Sequence, residues 1–255
     1  MLIFPIALSA QLNRDQFPLN REFKNGFFYI APGITYTLPY ADYSTVLRED
    51  LNIAGFDTTV TYYVLPKAGN ISYAFELGWY HSFENPRFFH YMDFGLAYRK
   101  FSGNSEFELL KEWDTGSSNQ KAESSFELDQ ITGVIRIIRS QQLGKFTFFT
   151  FGPGLNFDYR INDNRNETPF FTYNQERDLW EIFNLQLHLQ LGVGFRLTER
   201  LIFQPQLELP LLEILPAELH PVTRYEYGEH YPFLLSFRFM FLRKDLMNCN
   251  APTFN

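Results

Sequence analysis

Cysteine is all but missing from this chain of 255 residues: Cys249 stands alone, so no internal disulfide can staple the fold. Its isolation also excludes zinc sites built on paired thiolates. A basic excess is missing too. Asp and Glu total 29 against 22 Lys and Arg, and the net charge of -7 has the wrong sign for a nucleic-acid partner. Long apolar runs are absent, since stretches such as Pro232 to Phe237 fall far short of the ~20 residues a membrane-crossing helix needs. No glycine-rich nucleotide loop and no HExxH pattern occurs. No cofactor or metal is expected.

What the chain has in excess is aromatic. Phe, Trp and Tyr make up 18% of it, with 29 Phe, a share suited to rings that face lipid and gather at both membrane interfaces. Mean hydropathy is nevertheless -0.24, as expected of strands that give every second position to a polar residue. The clearest such strand runs from Leu179 to Leu197. Leu179, Glu181, Phe183, Leu185, Leu187, Leu189, Leu191, Val193, Phe195 and Leu197 fall in one phase; Trp180, Ile182, Asn184, Gln186, His188, Gln190, Gly192, Gly194 and Arg196 fall in the other. Alternate side chains of a strand point to opposite faces. Strands of soluble sheets run to about 5–6 residues, whereas a tilted strand crossing a bilayer needs about 9–11.

The same alternation recurs along the chain. Strands are expected over Gly26 to Leu38, Phe56 to Leu65, Ile71 to Phe83, Phe88 to Phe101, Phe126 to Arg139, Thr147 to Arg160, Leu201 to Leu211 and Phe233 to Phe241. A bulge or bend is expected at Pro32-Gly33 and another at Gly133. Gly103 to Ser124, Asn162 to Asp178 and Leu212 to His230 read as long polar loops. Short turns and long loops alternate over the second half of the chain, as membrane barrels require. The fold class is therefore all-β: an antiparallel up-and-down transmembrane β-barrel with its long loops extracellular. Nine candidate strands conflict with the even number such barrels use. Either one N-terminal segment does not span, or a strand is hidden between Pro39 and Leu51 or within Ser105 to Trp113. Eight strands is the expectation and ten the alternative.

A soluble lipocalin-like barrel would turn the apolar face inward around a greasy ligand. Strand length and the density of the apolar face oppose it, as do the charges on the polar face. Those charges are Glu76, Asp93, Asp158 and Glu208 against Arg99, Arg160, Arg196 and Arg238. Balanced opposite charges suggest pairing that plugs a narrow lumen. The remaining lumen polar residues are Asn184, Gln186, His188, Gln190, Gln204 and Gln206. Glycines on the same face (Gly78, Gly95, Gly152, Gly154, Gly192, Gly194) leave room for larger neighbours.

Met1 to Gln11, MLIFPIALSAQ, looks like the back half of a secretory signal ending near Ala10. Residues 1–10 are read as that remnant, 11–25 as a periplasmic segment, 26–243 as the barrel and 244–255 as a periplasmic tail. Three features together resemble the small outer-membrane β-barrel proteins of Bacteroidota-type bacteria, a broad group. They are Leu8-Ser9-Ala10-Gln11, Gly152-Pro153-Gly154-Leu155 within a strand, and the aromatic-ended last strand. That strand, with Phe239, Phe241 and Ser236 in a usual glycine place, is similar to the signal read by the outer-membrane insertion machinery. The resemblance implies a location in the bacterial outer membrane, with outer-membrane lipid, that machinery and other envelope proteins as partners. It implies no single activity.

His81-Ser82 beside Glu84 resembles the Ser-His-acid set of outer-membrane lipid hydrolases such as lipid A deacylases. Adjacent strand residues point to opposite faces, beyond hydrogen-bond reach of each other. No catalytic residues are expected. His188 lacks the partner ligands a metal would need. The expected role is structural or interactive, with Tyr225, Tyr227, His230 and Tyr231 as loop recognition candidates. A narrow porin-like channel is the alternative, and a lipid-acting enzyme comes third.

Overall fold

The computed structural model of the chain describes residues 26–39, 47–53, 56–83, 88–113, 116–144, 146–165, 183–215, 220–221 and 230–243. The expected signal remnant, N-terminal segment and C-terminal tail lie outside the described residues, as do Cys249, Glu84, Tyr225 and Tyr227. All described secondary structure is strand: β1 (Gly26–Pro39), β2 (Leu47–Ile53), β3 (Phe56–Gly69), β4 (Ile71–Ser82), β5 (Tyr91–Trp113), β6 (Gly116–Gln142), β7 (Thr147–Arg165), β8 (Phe183–Thr198), β9 (Leu201–Leu215), β10 (His220–Pro221) and β11 (His230–Phe241).

Eight of these close a barrel. Pairing runs β1–β4–β5–β6–β7–β8–β9–β11, each pair antiparallel, and β11 returns to β1. The strands are strongly staggered. Stepping across the ladders one way from Tyr29 leads through Gly78, Gly95, Val134, Asn156 and Gln186 to Glu213 of β9. Stepping the other way leads through Met240 to Ile202, at the opposite end of β9. Such a shift means strands tilted ~35–45° to the barrel axis.

The ninth expected strand, Phe56 to Leu65, is real but is not part of the wall. As β3 it forms a hairpin with β2 and pairs with the upper part of β5, from Thr58 opposite Trp113 to Gly69 opposite Gly103. The expected loop Gly103 to Ser124 is corrected as well. There β5 and β6 continue as a ladder from Gly103 opposite Phe126 to Trp113 opposite Gly116. Apolar alternation reports one buried face, and above the wall a hairpin can pair its backbones without one. The wall thus extends into a four-stranded sheet, β2-β3-β5-β6.

Pro32-Gly33 makes no bulge: the β1–β11 ladder skips two pairs and resumes in the same register. Pro32 is exposed on the outer wall, where its missing N–H costs ladder bonds without shifting the strand. Gly133 is regularly paired, and the irregularity of β6 falls at Asp129/Gln130 instead. Residues 179–182 of the expected long strand, and most of the expected loops 162–178 and 212–230, lie outside the described residues. Leu212–Leu215 belong to β9.

The wall is apolar outside and polar inside. Phe75, Leu77, Trp79, Phe94, Leu96 and Phe157 are exposed on its outer face, whereas Glu76, Asp93, Arg99, Asp158 and Glu208 are buried within. This inversion suits a barrel in hydrocarbon, where closure satisfies every ladder group. Inside, the end bearing the short turns is filled by Tyr29, Tyr80, Tyr91, Ile138, Phe148, Ile202 and Met240. Phe101, Phe126 and Leu128 pack together toward the loop end. The charges lie between these two apolar layers.

Candidate functional site in the barrel interior

Each wall strand sends alternate residues inward, and at mid-height those residues carry charge. Glu76 comes from β4, Asp93 and Arg99 from β5, Arg136 from β6, Glu208 from β9 and Arg238 from β11. Arg136 sits at the centre, wholly buried. Its Nη1 donates to Glu76 Oε1 at 2.6 Å and to Asp93 Oδ1 at 3.2 Å. Its Nη2 donates to Glu76 Oε2 at 2.7 Å and to Glu208 Oε2 at 3.1 Å. Arg99 grips Glu208 with both terminal nitrogens, at 2.7 and 3.1 Å. Arg238 donates to Asp93 Oδ2 at 2.7 Å and lies 4.0 Å from the centroid of the Tyr29 ring. Tyr29 O–H in turn donates to Glu76 at 2.6 Å.

Three guanidinium forks therefore tie three carboxylates across the lumen, linking strands that are not neighbours in the wall. Charge-assisted two-pronged bonds of this kind are among the strongest available to side chains. They fill the lumen as a bolt would, and an eight-stranded barrel has little interior left over.

The remaining sequence-predicted lumen residues divide into four groups. Asp158 accepts from Thr132 Oγ1 at 2.6 Å and from Gln130 Nε2 at 3.2 Å, toward the loop end. Gln204 Nε2 donates to Thr150 Oγ1 at 2.7 Å, and Gln190 Nε2 donates to Gln206 Oε1. Asn184, Gln186 and His188 are buried along β8. His188 lies over Gly154, where a methyl would run into its ring, and its Nε2 is 3.8 Å from Glu208. Arg160 and Arg196 are outside the central cluster. Arg160 is half-buried, 3.9 Å from Asp163, near the loop end. Arg196 is half-buried at the turn end and donates to the Glu199 carbonyl at 3.2 Å.

The balancing arginine is Arg136, which sequence reasoning missed. The inward phase of β6 mixes Phe126, Leu128, Val134 and Ile138 with its polar residues, and the outward phase carries Glu127, Asp129 and Arg139. Neither phase is cleanly polar. The usable signal was register: Arg136 lies opposite Gly154, a glycine already assigned to the inner face.

His81 is exposed on the outer wall with its ring 6.1 Å from Phe83, while Ser82 is buried and donates to the His90 carbonyl at 3.4 Å. The two lie on opposite faces, as alternation requires. Of the loop recognition candidates, His230 and Tyr231 begin β11 instead of lying in a loop, and His230 pairs with Pro39. Tyr231 packs its ring on Phe233 at 5.1 Å and its hydroxyl donates to the Pro210 carbonyl. It is a rim residue of the wall. Among the described residues no group of three or more His, Cys, Asp or Glu is arranged to hold a metal ion.

No family model matches the chain, and no curated protein does. Among solved structures it is similar to the outer membrane protein OprG from Pseudomonas aeruginosa. That match has 11% identity, covers 87% of this chain and 95% of that one, and has a TM-score of 0.35. It is also similar to Ail, the attachment invasion locus protein of Yersinia pestis, solved with the heparin analogue sucrose octasulfate. There identity is 6%, coverage 86% and 99%, and the TM-score 0.31. The architecture described above rests on the strand pairing of this chain itself.

Proposed function

We propose that this chain is an outer-membrane barrel with a structural or interaction role, its interior a closed bolt and its loop-end sheet the working surface. The observation that carries this reading is the Arg136 cluster. Three arginines and three acids bond across the lumen between two apolar layers, which suits a rigid support better than a passage. The sheet β2-β3-β5-β6 supports the other half of the reading, because it raises paired backbone beyond the wall where partners can reach it. On the sequence resemblance alone, the same proposal places the chain among the outer-membrane barrels of Bacteroidota-type bacteria. No catalytic role is proposed.

A narrow channel for small solutes is the second reading. One observation favours it: Gln186 Nε2, both ring nitrogens of His188 and Gln190 Oε1 are buried along β8 without a hydrogen-bond partner among the described residues. Such atoms call for ordered water. Planar-bilayer recording separates the readings. The bolt predicts a silent wild-type protein and steps of current once Arg136 and Glu76 are both replaced by alanine. Steady conductance by the wild type would overturn it in favour of the channel.

A further inference from the structure

The two rims of the barrel differ in chemistry. At the loop end the outward rings are mainly tyrosine: Tyr73 stacks on Tyr98 at 5.9 Å, and Tyr98 O–H donates to Asp129 at 2.8 Å. The connections at that end span 40–70, 100–130, 160–182 and 212–230. In every one, Asp and Glu outnumber Lys and Arg.

At the turn end the rings are phenylalanine and tryptophan. Phe28 stacks on Phe241 at 4.7 Å, Phe27 meets Trp79 edge-on at 5.9 Å, and Phe88, Phe89 and Phe146 stand exposed beside the turns. The charge there is basic. Arg139 lies on the outer wall with its guanidinium 6.0 Å from the Phe151 ring, and Arg200 and Arg243 are exposed. Taken together, 84–87, 143–146, 196–200 and 243–245 hold more Lys and Arg than Asp and Glu.

We propose that the turn-end rim binds anionic phospholipid headgroups, with Arg139, Arg200 and Arg243 as phosphate contacts. The proposal rests on the membrane-barrel reading and deepens it by naming the lipid. An arginine on an apolar wall lays its stem along the rings and reaches outward with a planar fork that matches phosphate. The rings at this end come from β1 (Phe28), β4 (Trp79), the β4–β5 turn (Phe88, Phe89), the β6–β7 turn (Phe146), β8 (Phe195) and β11 (Phe241), and so encircle the barrel instead of forming one patch. An encircling belt fits a continuous leaflet better than a docked protein. Charge sets the lipid, since a basic rim is drawn to an anionic surface and screened from it by salt. The acidic loop end is repelled by the same surface, so the two charges together fix which way up the barrel sits.

The test uses full-length protein in nanodiscs of phosphatidylcholine alone or with a minority of phosphatidylglycerol, read by the midpoint of thermal unfolding. Phosphatidylglycerol raises the wild-type midpoint, and added salt reduces the gain. The variant Arg139→Gln/Arg200→Gln/Arg243→Gln loses most of the gain, while Lys100→Gln at the loop end keeps it. A triple variant that responds like the wild type, or a wild type indifferent to phosphatidylglycerol, overturns the proposal with the barrel reading intact. Protein that enters neither disc overturns the barrel reading itself.

Discussion

At the scale of the residue, Arg136 matters most. It touches Glu76, Asp93 and Glu208 at once, with no solvent exposure of its own. Arg136→Ala leaves buried carboxylates uncompensated and should destabilise the barrel by about 3–5 kcal/mol. Arg136→Met combined with Glu76→Leu removes charge from both sides and should recover a large part of that. Denaturant titration in micelles checks both, and equal losses in the two variants would show that the pairing is not what matters.

His90 offers a second residue-scale outcome, outside the membrane-spanning strands. Its Nδ1 accepts the Ser140 N–H at 3.1 Å, its own N–H donates to the Ile138 carbonyl at 2.9 Å, and its carbonyl accepts the Phe83 N–H at 2.9 Å. Burial, and then the nearby Arg139, hold its pKa below the ordinary value. A depressed histidine favours its neutral form on folding. Its contribution is present above the free value of ~6.5 and lost as pH falls through the lowered one. The protection factor of the Ser140 amide, taken against its intrinsic exchange rate, should fall as pH drops through the lowered histidine value, and His90→Gln should remove that dependence.

At the scale of the element, the β5–β6 hairpin is two structures in one. Below Gly103 and Phe126 it is barrel wall; above them it pairs with β3 on one side and projects past β7, whose last pair is Arg165 with Phe126. Replacing 104–125 by a short turn should leave heat-modifiable migration on gels unchanged and abolish partner capture from native membranes. Loss of the heat-modifiable form would mean that the projection is needed for folding. These elements also show what the sequence could tell. The wall strands were legible because lipid on one side and a polar lumen on the other impose a period of two. Over Gly103 to Ser124 the sequence carries no such contrast, since polar and charged residues occupy both phases, and backbone pairing went unseen. The surplus ninth strand had the opposite cause: β3 does alternate over Phe56 to Leu65, yet it pairs outside the closed wall.

At the scale of the whole molecule, the inversion of apolar and polar faces decides the solvent. Exposed Phe75, Leu77, Trp79 and Leu96 cannot stay in plain buffer as a dispersed barrel. Removing detergent should therefore aggregate folded protein, and a monodisperse monomer seen by light scattering would contradict the membrane reading. The polar interior was legible residue by residue in the clean strands, since Glu76, Asp93, Arg99, Glu208 and Arg238 all meet inside. Who bonds whom was not, because that depends on stagger, which brings β4, β6 and β9 to one level and which no local pattern encodes.

The seam between β1 and β11 has a last consequence. The first wall strand to leave the ribosome waits for the final one, and until Phe241 is synthesised the sheet keeps two raw edges. A chain stopped early thus has no half-built barrel to fall back on, and its open edges would leave it prey to holding chaperones and proteases.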